Sequence, residues 1–220
     1  MNNRNVKNGL LVTFEGIDGS GKSTQATMLL HRLTKEGYDA LLVREPGGTD
    51  ISEKIRDVLL DIRHQNMADT TELLLYAASR AQLVAEKIEP HLARNVVVIC
   101  DRYTDSTMAY QGYGRQINTE FIRNLNALAT QEIIPDLTFI IDVELEIAKN
   151  RQSNGPTDRL EMEKAEFKKR VRDGYRQIAK DEPDRAHILS GTRSIDELHS
   201  DIWTLTQQNI QSLTKQRTES

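Results

Sequence analysis

The chain has 220 residues, enough for one domain with a full apolar core. Lys and Arg total 29 against 33 Asp and Glu, a net charge of −4, which leaves no basic excess for general nucleic-acid binding. The single cysteine, Cys100, cannot form an internal disulfide and suits a reducing cytoplasm. No apolar run has membrane-spanning length and no signal-peptide pattern follows Met1.

Met1–Lys7 is polar and reads as a frayed tail, as does Lys215–Ser220. Leu10–Phe14 is an apolar, β-branched run, the pattern of a buried strand. It leads into Gly16-Ile17-Asp18-Gly19-Ser20-Gly21-Lys22-Ser23, which matches the phosphate-loop pattern G-x-x-x-x-G-K-[ST]. A helical pattern follows, with Ala26, Leu29, Leu30 and Leu33 on one face and Gly37 as its stop. Strand, glycine-rich turn and helix N-terminus form an anion site of inward N–H groups. Lys22 is expected at the β/γ-phosphates and the Ser23 hydroxyl on Mg²⁺.

Ala40–Val43 reads as a second buried strand, ending in the charged turn Arg44-Glu45-Pro46-Gly47-Gly48-Thr49. In an open α/β sheet that end faces the ligand crevice, so Arg44 and Glu45 either address a ligand or sit in a solvated turn. The Glu45–Pro46 bond can be cis or trans. Asp50 with Glu53 suggests a capping pair for a helix carrying Ile51, Ile55, Val58, Leu59 and Ile62. Asp69 with Glu72 suggests the next helix start, followed by a largely apolar helix from Leu73 to Ile88. Arg80 lies one turn after Tyr76 on the same face. The pair can stack a base and hold a polar edge, or be a core tyrosine beside a snorkelling arginine.

Asn95–Asp101 reads as a third strand, its terminal Asp101 placed to support Mg²⁺ beside the phosphate loop. Arg102 and Tyr103 follow, then a polar stretch over Thr104–Gln116 whose tyrosines, hydroxyls and amides suit a planar polar ring. A helix over about Thr119–Gln131, a strand over Leu137–Asp142 and a short helix over Glu144–Asn150 come next. Residues 151–159, glycine- and proline-bearing with Arg151 and Arg159, read as a lid or as a plain connection. Phe167, Val171, Tyr175 and Ile178 mark one face of a further helix, and Ala186–Leu189 a fifth strand. Ser194 and Glu197 form a capping box before the last helix. The five histidines have no metal-ligand spacing.

Strands alternating with helices imply a single α/β domain over residues 1–220. Its expected architecture is a doubly wound, five-stranded parallel sheet of the phosphate-loop NTPase type, with a short lid at about residues 150–160. A GTPase would need Asp-x-x-Gly after the third strand and an Asn-Lys-x-Asp, and neither is present. An acceptor pocket, several arginines and a lid point instead to a small-molecule kinase.

The chain resembles the thymidylate kinase family. The resemblance lies in Phe14–Thr24, in Arg44-Glu45-Pro46-Gly47-Gly48-Thr49 and in Leu74–Ala78 with Arg80 and Gln82. It continues in Asp101-Arg102-Tyr103 with Ser106–Gly112 and in Asp158-Arg159-Leu160-Glu161. The resemblance implies phosphorylation of dTMP by ATP with Mg²⁺, in a cytoplasmic homodimer that takes neither nucleic acid nor membrane as partner. It implies an ATP site at Gly16, Ile17, Asp18, Gly19, Ser20, Gly21, Lys22, Ser23 and Thr24, with Ser23 and Asp101 serving the metal. Asp18 is implied near the acceptor sugar and the Mg²⁺ shell. On the acceptor side it implies Glu45, Tyr76 stacking on thymine, Arg80 on the thymine edge and Arg102 on the phosphate. Thr107, Tyr110 and Gln111 fall where the family reads the base and excludes ribose. Some members carry a catalytic arginine in the loop, where this chain has Gly19. Arg151 is therefore the expected transition-state arginine, with Lys22, Asp18 and Arg102 as its catalytic companions, and Arg159 is expected at the adenine or ribose of ATP. A kinase for another nucleotide or nucleoside, and a non-catalytic nucleotide-binding module, are the alternatives.

Overall fold

The computed structural model describes residues 9–152 and 158–218. The expected N-terminal tail, the centre of the expected lid at residues 153–157 and the last two residues lie outside them. All five expected strands form: β1 (Leu10–Glu15), β2 (Ala40–Arg44), β3 (Val97–Asp101), β4 (Leu137–Asp142) and β5 (Ala186–Ser190). They make one sheet in the order β2-β3-β1-β4-β5, every pairing parallel. The register sets Phe14 beside Asp101 and Phe139, so the carboxyl ends of β1, β3 and β4 converge at one edge.

Alternate residues of β1 feed the two sheet faces, as a strand's two-residue period requires. Leu10, Val12 and Phe14 pack with Leu29 and Leu33 of α1 (Lys22–Lys35) and with Leu198 and Ile202 of α9 (Ile195–Thr218). Leu11, with Val98 and Cys100 of β3, packs against Leu83, Val84 and Ile88. These last close α3 (Asp69–Leu83) and a π-helical turn (Val84–Ile88) that runs on into α4 (Glu89–Leu92). Gly37 stands at φ 85 just past α1, and Ser194 and Glu197 exchange the expected cap bonds at the start of α9. That last helix runs to Thr218, into the stretch expected as a tail.

Three local expectations change. The cap of α2 (Asp50–Leu60) is Thr49, whose hydroxyl accepts from Ser52 N–H, while Glu53 turns back to Gly48 N–H and Arg44. Leu59 is buried, but Ile51 and Val58 of the expected apolar stripe are exposed. The polar stretch after Arg102 is helical: α5 (Thr104–Thr107), a π-helical segment (Met108–Gly114), then α6 (Thr119–Thr130). A π-helical segment re-aims side chains relative to an α-helix and recurs at functional sites. Beyond β4 come α7 (Leu145–Arg151) and α8 (Ala165–Asp181).

Candidate active site

Two cavities open at the carboxyl edge of the sheet. One is walled by Gly19, Ser20, Gly21, Lys22, Ser23 and Thr24, with Arg151, Gly191 and Arg193 across from them. The loop closes on itself through Ser20 N–H to Ile17 O. Gly16, Gly19 and Gly21 all take positive φ, and at Gly19 a Cβ would run into the Ala148 carbonyl of α7. Arg151 leans against the same loop, donating to Ser20 O at 3.5 Å and Gly191 O at 2.9 Å. Ser23 Oγ donates to Asp101 Oδ2 at 2.5 Å, and Asp101 Oδ1 is buried without a hydrogen-bond partner. A hydroxyl and an orphaned carboxylate oxygen are hard donors that fit Mg²⁺, which keeps most of its shell for water and phosphate. No cluster of three His, Cys, Asp or Glu that could hold a metal occurs among the described residues.

The second cavity brings together Asp18, Glu45, Tyr76, Arg80, Arg102, Thr107, Tyr110 and Gln111, all of them expected acceptor-side residues. Asp18 joins it to the first: its Oδ1 accepts from Lys22 Nζ at 3.1 Å and from Arg102 Nη2 at 2.5 Å. Burial works against its charge, yet Arg102 and Lys22 hold the carboxyl below the usual range. Arg102 has φ 75, a left-handed backbone that a non-glycine residue adopts only when its surroundings impose it. Its Nη1 reaches Gly16 O at 3.0 Å and the Ser106 and Tyr175 hydroxyls at 3.2 Å each. Its guanidinium carbon lies 5.2 Å from the Tyr110 ring centroid.

Those two hydroxyls converge on Glu15, the last residue of β1 and fully buried. Its Oε2 accepts from Ser106 Oγ at 2.6 Å and Tyr175 OH at 2.9 Å, and its Oε1 from Tyr103 N–H at 2.7 Å. Burial, then Asp105, pushes Glu15 up to about 7 against the pull of Arg102. Glu15 thus anchors the strained turn that carries Arg102.

Arg80 departs from its expected role. It is 1% exposed, and all five of its N–H donors are used within the protein. Nε and Nη2 donate to Glu45 Oε2 at 2.8 and 2.6 Å, Nη2 also to Tyr103 O at 2.9 Å, and Nη1 to Thr107 Oγ1 and Asn126 Oδ1 at 2.8 Å each. In this arrangement it braces the cavity wall and has no donor left for a base edge. Burial raises Glu45 despite this partner. Arg159 also departs from expectation. It pairs with Glu72 at 2.6 Å and donates to Leu59 O at 3.0 Å, on the acceptor side and away from the phosphate-loop cavity. The Glu45–Pro46 bond is cis. Arg44 is taken up by Glu53 and Pro46 O and does not line the acceptor cavity. Tyr103 is buried against Arg80 and Tyr113 packs on Gly174, so of the three tyrosines in this region only Tyr110 enters the acceptor cavity.

Four residues line or support this site with at most a weak sequence signature. Glu15 is the one charge closing an otherwise apolar strand, a signal that was available. Arg56 donates to Pro46 O and Asp158 stands opposite it, but on sequence alone they look like a solvated helix position and a loop carboxylate. Tyr175 sits on the apolar stripe of α8 and hides its polar end in the site.

Comparison with known proteins decides between kinases. The thymidylate kinase family model matches residues 14–202. The chain belongs to the thymidylate kinase family. A thymidylate kinase of Caldanaerobacter subterraneus subsp. tengcongensis is 47% identical over 191 residues, covering 87% of this chain and 91% of its own. One from Geotalea uraniireducens is 45% identical over 201 residues, covering 88% and 94%. The crystal structure of thymidylate kinase from Ehrlichia chaffeensis superposes with a TM-score of 0.75 at 37% identity, covering 90% of this chain and 98% of that one.

Proposed function

We propose that the protein transfers the γ-phosphoryl group of ATP to a 5′-phosphate oxygen of dTMP, yielding ADP and dTDP. The observation that carries this reading is the shared Asp18 carboxylate. It ties Lys22 of the phosphate loop to Arg102 of the neighbouring cavity, so a donor and an acceptor phosphate can meet between them. The acceptor oxygen is already anionic, so no strong base is needed, and positioning with charge neutralisation does the work. Arg102 grips the acceptor phosphate and offsets repulsion between two anions. Lys22 and the loop N–H groups hold the donor. Arg151 neutralises charge on the group in transfer, a task worth on the order of 10³–10⁵ in rate in related chemistry. Ser23 and Asp101 would hold Mg²⁺, which when bound supplies further charge neutralisation at the donor phosphates. Tyr76 offers a ring face to the base, and Tyr110 crowds the sugar side beside Arg102.

No described helix is long and apolar enough to cross a membrane. We infer a cytoplasmic enzyme that works as a homodimer; Val58, Leu74, Phe121 and Leu128, apolar and exposed on α2, α3 and α6, support a second copy seated there. A coupled assay with Mg·ATP and dTMP, dUMP, dCMP, AMP or thymidine tests the activity. ADP release led by dTMP is expected, and release with none of the acceptors would leave a nucleotide-binding module. Light scattering at micromolar concentration tests the dimer.

A further inference from the structure

Nothing in the proposed transfer uses Glu72, yet three side chains address this fully buried carboxylate of α3. Gln111 Nε2 donates to its Oε1 at 2.8 Å. Arg115 donates to Oε1 at 3.2 Å and to Oε2 at 3.0 Å, and Arg159 pairs with Oε2 at 2.6 Å. Burial favours protonation, but the Arg115 and Gln111 hydrogen bonds and the Arg159 charge hold the group below the usual carboxylate range.

An ionised carboxylate accepts hydrogen bonds and cannot donate one. Glu72 therefore dictates which way the Gln111 amide points: its nitrogen must face Glu72. Gln111 is 1% exposed and lines the acceptor cavity, so the amide cannot swing out to solvent. Its Oε1 is left as a free acceptor, with no hydrogen-bond partner among the described residues. Arg80 beside it has no donor to spare, and Thr107 already accepts from Arg80. The amide's orientation thus decides whether Gln111 offers the cavity an acceptor or a donor, beside the Thr107 hydroxyl and Glu45 Oε1, which has no partner among the described residues.

We propose that Glu72 is a specificity-positioning residue. By fixing the Gln111 amide with its carbonyl toward the cavity, it favours an acceptor nucleotide whose pyrimidine carries a ring N–H over one that presents a ring-nitrogen lone pair. The inference rests on reading this cavity as the acceptor-base site. Thymine and uracil offer N3–H. Cytosine sets an N3 lone pair against Oε1, and two acceptors facing each other leave both unsatisfied.

The test compares kcat/KM for dTMP, dUMP and dCMP in the wild type, Glu72→Gln and Gln111→Ala, with KM for ATP as reference. In Glu72→Gln the new carbonyl takes the Oε2 side, where Arg159 and Arg115 Nη2 lie, and the new NH₂ takes the Oε1 side facing Gln111. This gives up the 3.2 Å Arg115 Nε bond and turns the Gln111 amide over. Turnover of dTMP and dUMP falls together, that of dCMP rises, and the dTMP/dCMP ratio drops by about tenfold or more, the scale of one mispaired buried hydrogen bond. KM for ATP stays constant. A merely structural Glu72 lowers all three acceptors in proportion, and an unchanged ratio overturns the proposal. Gln111→Ala keeps the Glu72–Arg115–Arg159 cluster intact, so it decides the matter even if Glu72→Gln does not fold: an undiminished ratio there refutes the proposal as well. Should the wild type turn over none of the three, the acceptor reading fails by itself. Titration of the same monophosphates by calorimetry then reads the Glu72 effect as the dTMP/dCMP ratio of dissociation constants, and a ratio that Glu72→Gln leaves unchanged overturns the proposal.

Discussion

Replacing Glu15 by glutamine should make the protein more stable and less active at once. The carboxyl titrates near 4.5 when solvated and at about 7 in the folded protein, so it binds its proton more tightly folded than unfolded. The sign follows from linkage: below pH 4.5 both states are protonated and the group costs nothing. Between 4.5 and 7 the unfolded chain ionises first and stability falls, and above 7 the penalty is complete. At about 1.4 kcal/mol for each pH unit of that gap, the buried carboxylate costs about 3 kcal/mol at pH 8. Glutamine removes this charge and keeps an acceptor for Tyr103 N–H. Its NH₂ then meets the Ser106 and Tyr175 hydroxyls, and one hydroxyl proton loses its acceptor, costing about 1 kcal/mol. The net is a gain of about 2 kcal/mol at pH 8, about 4–8 °C in Tm for a domain of this size, and close to zero at pH 5, where only a small part of the penalty has developed. Meanwhile the hydroxyls no longer turn their lone pairs toward Arg102 Nη1, so KM for dTMP rises while KM for ATP stays. Thermal unfolding at pH 5 and pH 8, with steady-state kinetics at pH 8, checks both halves. Equal destabilisation at the two pH values would refute the reasoning.

Arg102→Ala should remove most turnover with dTMP while the circular dichroism spectrum stays native; near-normal rates would sink its role at the acceptor phosphate. Arg151→Ala should lower kcat by about 10³ or more, as expected for a transition-state arginine, with ATP affinity by titration mostly kept. Arg159→Ala should instead raise KM for dTMP, because its partners Glu72 and Leu59 O lie on the acceptor side; if it shows the Arg151 profile, the two roles are exchanged. Gly19→Arg should not rescue Arg151→Ala and should lower Tm by itself, since the position has φ 80 and no room for a Cβ against α7.

The sheet and both cavities could be anticipated because their signals are local. Apolar β-branched runs, a glycine pattern and a carboxylate ending β3 each announce themselves within a few residues. What could not be read is how charges pair across the chain. Arg80 looks the same in sequence whether it faces a base or spends its five donors on Glu45, Tyr103, Thr107 and Asn126, since those partners lie 23–46 residues away. Glu72 has the spacing of a helix cap, and only the fold shows it meeting Arg115 and Arg159. The stretch after Arg102 has a loop's polarity, and it becomes helical because Tyr110 and Met108 are buried against α8 while Gln111 finds Glu72. Tertiary partners override local propensity there, as they do at most sites that carry function.

The arginine that the loop lacks and the one that α7 supplies are two consequences of a single contact. A side chain at position 19 would collide with the carbonyl of Ala148, so α7 approaches the loop as closely as a glycine allows. Ala148 lies three residues before Arg151, hence on nearly the same face of the helix. The approach that forbids an arginine in the loop is therefore the one that brings Arg151 to the Ser20 carbonyl. Moving α7 outward to admit a loop arginine would carry Arg151 away from the phosphate-loop cavity. The two placements exclude each other on steric grounds. A chain with glycine at this point should accordingly depend on α7 packing for its chemistry: a bulky residue at Ala148, which is buried against the core, would silence Arg151 without touching it.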